Sequence, residues 1–563
     1  MIIGIDLGTT NSLAAIWRDG QPLLIPNALG QVLTPSAVGL DEDGHILVGQ
    51  AAQDRLVTHP LQTAAHFKRY MGSDHQQRLG HRLFRAEELS AFVLKSLKAD
   101  VEAWLGEPVR EAVITVPAYF NDIQRKATRI AGELAGLNVE RLVNEPTAAA
   151  MAYGLHQHSE SRFLVFDLGG GTFDVSILDL FEGVMEVRAS AGDNLLGGED
   201  FTEVVFHHLC AQLALPAAGS DPVLKAQLQR LAESGKRRLS EQGEVDVDFS
   251  WNGQDRCVTL TQRWLEEGCA PLLARLRQPV ERALRDARLP AHGLDQIVLV
   301  GGATRMPLVR KLVTRMFGRF PVCRINPDEA VALGAAVQAG LKARDAALEE
   351  MVLTDVAPYS MGIEISNRMA GGRRERGVFL PIIERNTLVP VSRCEQVQTI
   401  TDLQEQVDLR IYQGEARKVT DNVCLGELNI PVPPLPAGQV SLEVRFSYTV
   451  DGILEAECLV LNTGEIRRLV IEKCPGSLSP DEVAARLAAL DDIKMHPRDR
   501  MENTALRARA NRLYEQTRGD LRQLIGQQIG VFECELETQD TDRIREARLT
   551  LGKLLDDIEG SVW

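Results

Sequence analysis

The sequence predicts a multi-domain chain: an α/β domain built from two related halves, an all-β sandwich, and a short α-helical C-terminal segment. Three observations carry this reading. Residues 2–20 (IIGIDLGTTNSLAAIWRDG) and 163–187 (FLVFDLGGGTFDVSILDLFEGVMEV) share one phrase: an apolar run, Asp-Leu-Gly, small residues, and a second apolar run. Near residue 343 the alternation of strand-like and helix-like segments gives way to short strands separated by turns such as PPLPAG and NTGE. At Ser479-Pro480-Asp481-Glu482 a helix start is written, with a Ser cap, Pro in the first turn and Glu in the capping-box place.

Each Asp-Leu-Gly phrase reads as a hairpin whose tip offers bare backbone N–H groups and hydroxyls to an anion. Asp6 and Asp167 lead into the tips and Asp174 leads out of the second, positions suited to a hydrated Mg²⁺. One such loop alone reads more readily as a structural hairpin turn. Two copies with Asp at the same offset point to duplicated halves facing across a cleft, and so to a phosphate clamp. A GxxxxGK[ST] motif is absent, as is a GxGxxG opening a helix.

Between the phrases, AVITVP (112–117) reads as a buried strand and YFNDIQRKATRIAGELAGL as a helix with Asn or Asp at its start and Gly136 near its end. VERLVNEPTAAAMAYGL (139–155) predicts a short strand, a turn at Glu145-Pro146 and an Ala-rich helix. In the second half, helices at about 200–240 and 262–288 flank a hairpin near 245–261. Strand 297–300 runs into GGATRMP (301–307), and INPDEAVALGAAVQAGL (325–341) reads as an Asn- or Asp-capped helix. The expected boundaries are 1–345 for the α/β domain, 346–356 for a linker, 357–475 for the sandwich and 476–563 for a charged helical part broken near Pro497.

A net charge of −16 argues against nucleic acid or an anionic membrane as the main partner. No run approaches eighteen apolar residues, and the first residues read as a strand rather than a leader, so a cytoplasmic location is expected. The nine cysteines are dispersed and form no CxxC, which favours free thiols over zinc or disulfides.

In combination, IDLGTTNS (5–12), ITVPAYFND (114–122), NEPTAAAMAYG (144–154), FDLGGGTFDVS (166–176), GDNLLGGEDF (192–201), LVGGATRMP (299–307) and INPDEAVALGAA (325–336) resemble the seventy-kilodalton heat-shock (DnaK-like) chaperones. The short chain looks most like the small bacterial HscC-type branch. The resemblance implies an actin-like duplicated ATPase domain that binds ATP or ADP. Gly8, Thr9, Thr10 and Asn11 would line the first phosphate loop, and Gly169, Gly170, Gly171 and Thr172 the second. Asp6, Glu145, Asp167 and Asp174 would hold Mg²⁺ largely through water and help to place K⁺, with Lys68 orienting the attacking water. Glu233, Lys236, Arg237 and Ser240 keep the spacing that clasps adenosine in this family, and Gly302, Arg305 and Asp328 would close the other side of the base. Pro117 and Arg125 match the pair that relays nucleotide state, while Arg141, Asn144 and Asp355 fall where the linker and a J-domain cochaperone dock.

For the sandwich, the resemblance assigns Ile363, Val397, Ile400, Val407 and Leu409 to a channel for an extended apolar segment of an unfolded polypeptide. Ser366 and Ile400 stand at the arch over that channel, and the aromatic common at the place of Val397 is missing. A helical tail of about 85 residues is shorter than the usual lid, so faster peptide exchange is expected. The short hairpin between Ser240 and Thr261 implies fast ADP release and little need for a GrpE-type exchange factor. A mostly monomeric ATP-driven chaperone is therefore the leading reading. Its rivals are a sugar or acyl kinase and an actin-like filament protein; both leave the β-domain without a task, and a kinase needs a carboxylate base where Lys68 stands.

Overall fold

Both Asp-Leu-Gly phrases form antiparallel hairpins, and the two share one register. Strand Ile2–Asp6 pairs with Asn11–Arg18 so that Asp6 faces Leu13, and Ser161–Leu168 pairs with Phe173–Phe181 so that Asp167 faces Asp174. Each hairpin is extended in the same sense. A third antiparallel strand (Gln21–Ile25, or Val184–Asp193) lies on one side, and a parallel strand (Glu111–Val116, or Gln296–Val300) on the other. Their near-continuous apolar sequences follow from burial on both faces, as expected where helices cover a sheet. These contacts come from a computed structural model that describes residues 1–560 apart from 42–43, 155–159, 182–183, 214–220, 252–253, 346–347, 349–351, 369–373, 450–451 and 472–500.

One buried cluster draws on both sheets, bringing Trp17 and Val113 together with Phe163, Val165, Val298 and Val331. Helices Glu145–Gly154 and Ala330–Lys342 cross within this layer, nearly backbone to backbone. A Cβ on Gly334 would lie 1.6 Å from the Ala148 carbonyl oxygen, so the crossing admits glycine alone. The Ala- and Gly-rich texture of both segments is therefore a packing requirement.

Local structure departs from the sequence expectation in two places. Glu145-Pro146 does not form a turn: the helix starts at Glu145, directly after strand Asn138–Asn144, with Pro146 in its first turn, where its missing N–H costs nothing. In INPDE, neither Asn nor Asp caps the helix. Asn326 instead accepts from the Asp328 N–H and donates to Glu329, folding the turn before it. The helix Asp122–Leu134 starts as expected, with the Asn121 side chain accepting from the Gln124 N–H. The helix start at Ser479 and the break at Pro497 lie outside the described residues.

The chain divides into two compact units, Met1–Ser360 with Glu384–Val389, and Met361–Ile383 with Pro390–Trp563. In the first, linker strand Val352–Val356 continues the second sheet, pairing in parallel with Val184–Asp193 and antiparallel with Leu388–Val389. In the second unit, two four-stranded antiparallel sheets carry buried residues such as Ile363, Ile430, Val444 and Phe446. Helices Met501–Gln516, Gly519–Thr538 and Thr541–Gly560 share their own core, including Ile525, Phe532 and Leu555. The Gln539 amide pairs with the edge strand Val391–Gln398, donating to the Cys394 carbonyl at 3.0 Å. No helix among the described residues is long and apolar enough to cross a membrane.

Gly334→Ala tests the crossing. Ala gains about 1 kcal/mol of helix propensity, but overpacking costs about 1–3 kcal/mol and a clash with backbone cannot be relieved by a side-chain rotation. A lower urea midpoint is expected; a midpoint equal to or above that of the parent would show that the helices can separate freely.

Candidate functional site

The two glycine-tipped loops oppose each other at contact distance. A Cβ on Gly170 would sit 2.0 Å from the Thr10 hydroxyl oxygen, and one on Gly171 2.8 Å from the Thr9 methyl. Any side chain there would push the tips apart. Between them opens a cavity of about 390 Å³, within the range of small-ligand sites. Gly8, Thr9, Thr10 and Asn11 line one side, Gly169, Gly170 and Thr172 the other, and Asp6, Lys68, Glu145 and Asp167 the floor. The far wall carries Glu233, Lys236, Arg237, Ser240, Gly302, Arg305 and Asp328. Gly171 and Asp174 do not line the cavity: Gly171 packs on Thr9, and Asp174 stands behind the floor.

The floor is a buried, acid-rich cluster. Lys68, on a short 3₁₀ turn (Phe67–Tyr70), puts its ammonium 2.6 Å from Glu145 Oε1 and 5.8 Å from the Phe120 ring centroid. Asp6 accepts from the Thr115 hydroxyl and Asp174 from the Tyr119 N–H, whereas the buried Asp167 Oδ2 has no protein partner. Burial, with the Glu145 charge second, pushes Asp6 up to about 7 and Asp174 up to about 8. Asp167 moves the same way for the same first two causes.

This donor set fits a hydrated hard cation. Its groups are carboxylate oxygens, one of them orphaned. Among the described residues no three such groups converge closely enough to ligate an ion directly, which suits Mg²⁺ because it keeps several waters.

The wall opposite is neutralised differently. Glu233 accepts from Lys236 at 2.6 Å, Arg237 at 2.6 Å and the Thr202 hydroxyl at 2.6 Å. Burial alone would raise its carboxyl, but the Lys236 charge and these hydrogen bonds bring it down to about 2. Lys236 also donates to the Gly198 carbonyl at 2.8 Å, tying this helix to the start of helix Gly198–Gln212 beside the second glycine-tipped loop. Arg305 pairs with Asp328 at 2.7 Å across the mouth.

Away from the cavity, Arg125 donates to the carbonyls of Ala118 and Phe120 and, at 2.6 Å, to Asn144 Oδ1. The Asn144 amide donates onward to both Asp355 oxygens, at 3.1 and 3.3 Å. Pro117 is buried at the start of this turn, and Arg141 is half-buried on strand Asn138–Asn144. In the sandwich, Ile363, Val407 and Leu409 belong to one sheet and Val397 to the other, with Ile400 just beyond its strand. Ile363 and Leu409 are buried; Val397, Ile400, Val407 and Ser366 are half-buried.

Sequence reasoning missed Thr115, Thr202, Tyr119 and, at the start of helix Gly198–Gln212, Gly198 and Glu199, which also line or support the cavity. Thr115 and Tyr119 were in view within ITVPAYFND, and Gly198 and Glu199 within GDNLLGGEDF; for Thr202, no local spacing signals the role.

Opposed glycine-tipped loops, an acidic floor and a charged far wall define a small-ligand cleft in an α/β protein of duplicated construction. A family model described as Hsp70 protein matches residues 2–80 and 75–553 of the chain. The chain belongs to the Hsp70 family, the seventy-kilodalton heat-shock proteins: ATP-dependent chaperones whose members are ATPases, bind nucleotide with Mg²⁺ and act on unfolded polypeptides.

The raised carboxyls make a pH prediction. Asp6 and Asp174 keep a proton in the folded chain that the unfolded chain releases above 3.8. The folded state therefore binds more protons, and its stability falls as pH rises from about 4 through 7 and 8. Urea melts of nucleotide-free protein in chelator should show this decline, reduced in Asp6→Asn. Stability that climbs over the same range in the parent protein would contradict the buried, uncompensated floor.

Proposed function

We propose that the protein hydrolyses ATP in this cleft and uses the nucleotide state to control how firmly the β-sandwich holds extended apolar segments of unfolded clients. The observation that carries this reading is the linker strand. Val352–Val356 is hydrogen-bonded into the sheet that begins with the second phosphate hairpin, so the segment leading to the sandwich shares a sheet with Asp167 and Asp174. A sugar or acyl kinase has no use for such a strand.

The loop amides and hydroxyls of Gly8–Asn11 and Gly169–Thr172 bind and orient the phosphates, while Glu233, Lys236, Arg237 and Ser240 with Gly302, Arg305 and Asp328 clasp the nucleoside. Asp6, Glu145, Asp167 and Asp174 would hold a hydrated Mg²⁺, which would supply positive charge opposite the phosphates, and would help to place K⁺. Lys68, held 2.6 Å from Glu145, orients the water that attacks the terminal phosphate. Pro117, Arg125, Asn144 and Asp355 relay the outcome to the linker, and Arg141 contributes to a J-domain cochaperone surface. Ile363, Val397, Ile400, Val407 and Leu409 form the peptide channel. The nucleotide domain spans 1–345, the linker 346–356, the sandwich 357–475 and the reduced lid 476–563.

The chain acts as a cytoplasmic monomer of the short HscC-type branch. Its hairpin at Glu244–Trp251 and Gln254–Thr261 is short, which supports fast ADP release without a GrpE-type factor.

Steady-state ATP hydrolysis with and without an unfolded apolar peptide tests the whole reading. Stimulation by the peptide is expected; an equal rate in both overturns the coupling. Lys68→Ala should lower kcat by about 10²-fold while calorimetry still detects ATP binding. A retained kcat would remove Lys68 from the chemistry. In stopped flow, labelled ADP should leave quickly and no faster with an exchange factor present.

A further inference from the structure

Resting on the hydrolytic reading above, we propose that the Tyr359 hydroxyl is a positioning group for Asp174, tying the placement of that carboxylate to the seating of the chain just beyond the linker strand. The argument turns on the backbone of residues 118–120. Three consecutive carbonyls are gripped by side chains. Arg125 takes those of Ala118 and Phe120, at 3.1 and 3.0 Å. The middle one, on Tyr119, accepts from the Asn194 amide at 2.7 Å and from the Tyr359 hydroxyl at 2.6 Å. The Tyr119 N–H, on the same residue, donates to Asp174 Oδ1 at 3.0 Å. A group that fixes the Tyr119 carbonyl thus fixes the direction of the amide that holds Asp174.

The two tyrosine rings pack at 4.6 Å between centroids, and the Tyr119 hydroxyl is itself held by Arg282 at 2.8 Å, so the pair is braced at both ends. There is little room for an alternative: a Cβ on Gly192 would lie 2.7 Å from Asp174 Oδ1 and 2.9 Å from the Tyr119 Cβ. Tyr359 lies four residues beyond Asp355. Its neighbour Ser360 accepts from the Arg385 N–H, and Arg385 makes a two-pronged pair with Asp286 at 2.8 and 3.0 Å. Linker seating therefore reaches the Asp174 turn along two separate lines. One passes through Asp355, Asn144 and Arg125; the other is the single hydroxyl of Tyr359.

Tyr359→Phe keeps the ring and removes only the hydroxyl. One neutral hydrogen bond is worth about 0.5–1.5 kcal/mol, so amide exchange at Tyr119 in the nucleotide-free full-length chain should quicken about three- to tenfold. Exchange at Val165, inside the neighbouring strand, should stay within twofold. In turnover, kcat should fall by a similar factor with KM for ATP within twofold. Unchanged exchange at Tyr119 overturns the proposal, as does an equal quickening at Val165, which would mean general loosening. The exchange measurement needs no catalysis, so an inactive parent enzyme would defeat the hydrolytic reading and leave this contact to be judged on its own.

Discussion

The structure depends on one buried ion pair, Lys68 with Glu145, set among three further carboxyl groups, Asp6, Asp167 and Asp174. Asp6, Asp167 and Asp174 are all withdrawn from water, and burial drives each towards its neutral form. Removing one partner of a buried pair costs about 3–5 kcal/mol, because the other charge is stranded. With the Lys68 ammonium against Asp6, Glu145 and Asp167 on the floor and Asp174 behind it, the cluster favours added protons or an added cation. Binding and folding are coupled for that reason: a ligand that brings positive charge to the floor stabilises the native state by mass action.

Strand register places three of those carboxyl groups, and Glu145 starts a helix. Asp6 ends its strand and Asp167 stands one residue before the end of its own, at equivalent points of two like hairpins, and Asp174 sits directly across from Asp167. Like charges opposite each other on neighbouring strands oppose pairing, so the sheet accepts a local penalty where it serves the ligand. A slip of one residue would turn these side chains to the other face. The uninterrupted apolar runs behind them, Ile3 and Ile5 in one half and Leu164 and Phe166 in the other, hold the register against that penalty.

Much of this was legible in the sequence, because the informative features are local. The doubled Asp-Leu-Gly phrase named the loops and three of the carboxylates, and the change of texture near 343 separated the α/β part from the strands that follow. Less legible was anything whose meaning is a long-range contact. Lys68 lies 77 residues from Glu145 in sequence and stands in a stretch that otherwise reads as surface; only its match to a family motif marked it. Thr115, Thr202 and Tyr119 act through long-range hydrogen bonds that no periodicity encodes. The Glu145-Pro146 turn was misread because Pro marks both turns and first helical turns, and the distinction is made by the strand that delivers it.

The contacts that seat the linker also bound how strongly two distant sites can speak to each other. Asn144 to Asp355 and Arg385 to Asp286 involve charged groups, each worth about 1.5–3 kcal/mol when well made, and the Tyr359 hydroxyl adds about 1 kcal/mol. If the linker leaves its sheet, these are lost together with the backbone bonds of Val352–Val356. A total of several kilocalories per mole is ample for a coupling of 1–3 kcal/mol, the usual span between linked sites. The excess matters, because coupling requires only the difference between nucleotide states. Since linkage is reciprocal, under the proposed coupling whatever nucleotide binding does to linker seating, linker seating must do in equal measure to nucleotide affinity. The turn at 118–120 is where both influences meet, since the same three carbonyls answer to the linker on one side while the Tyr119 amide answers to Asp174 on the other.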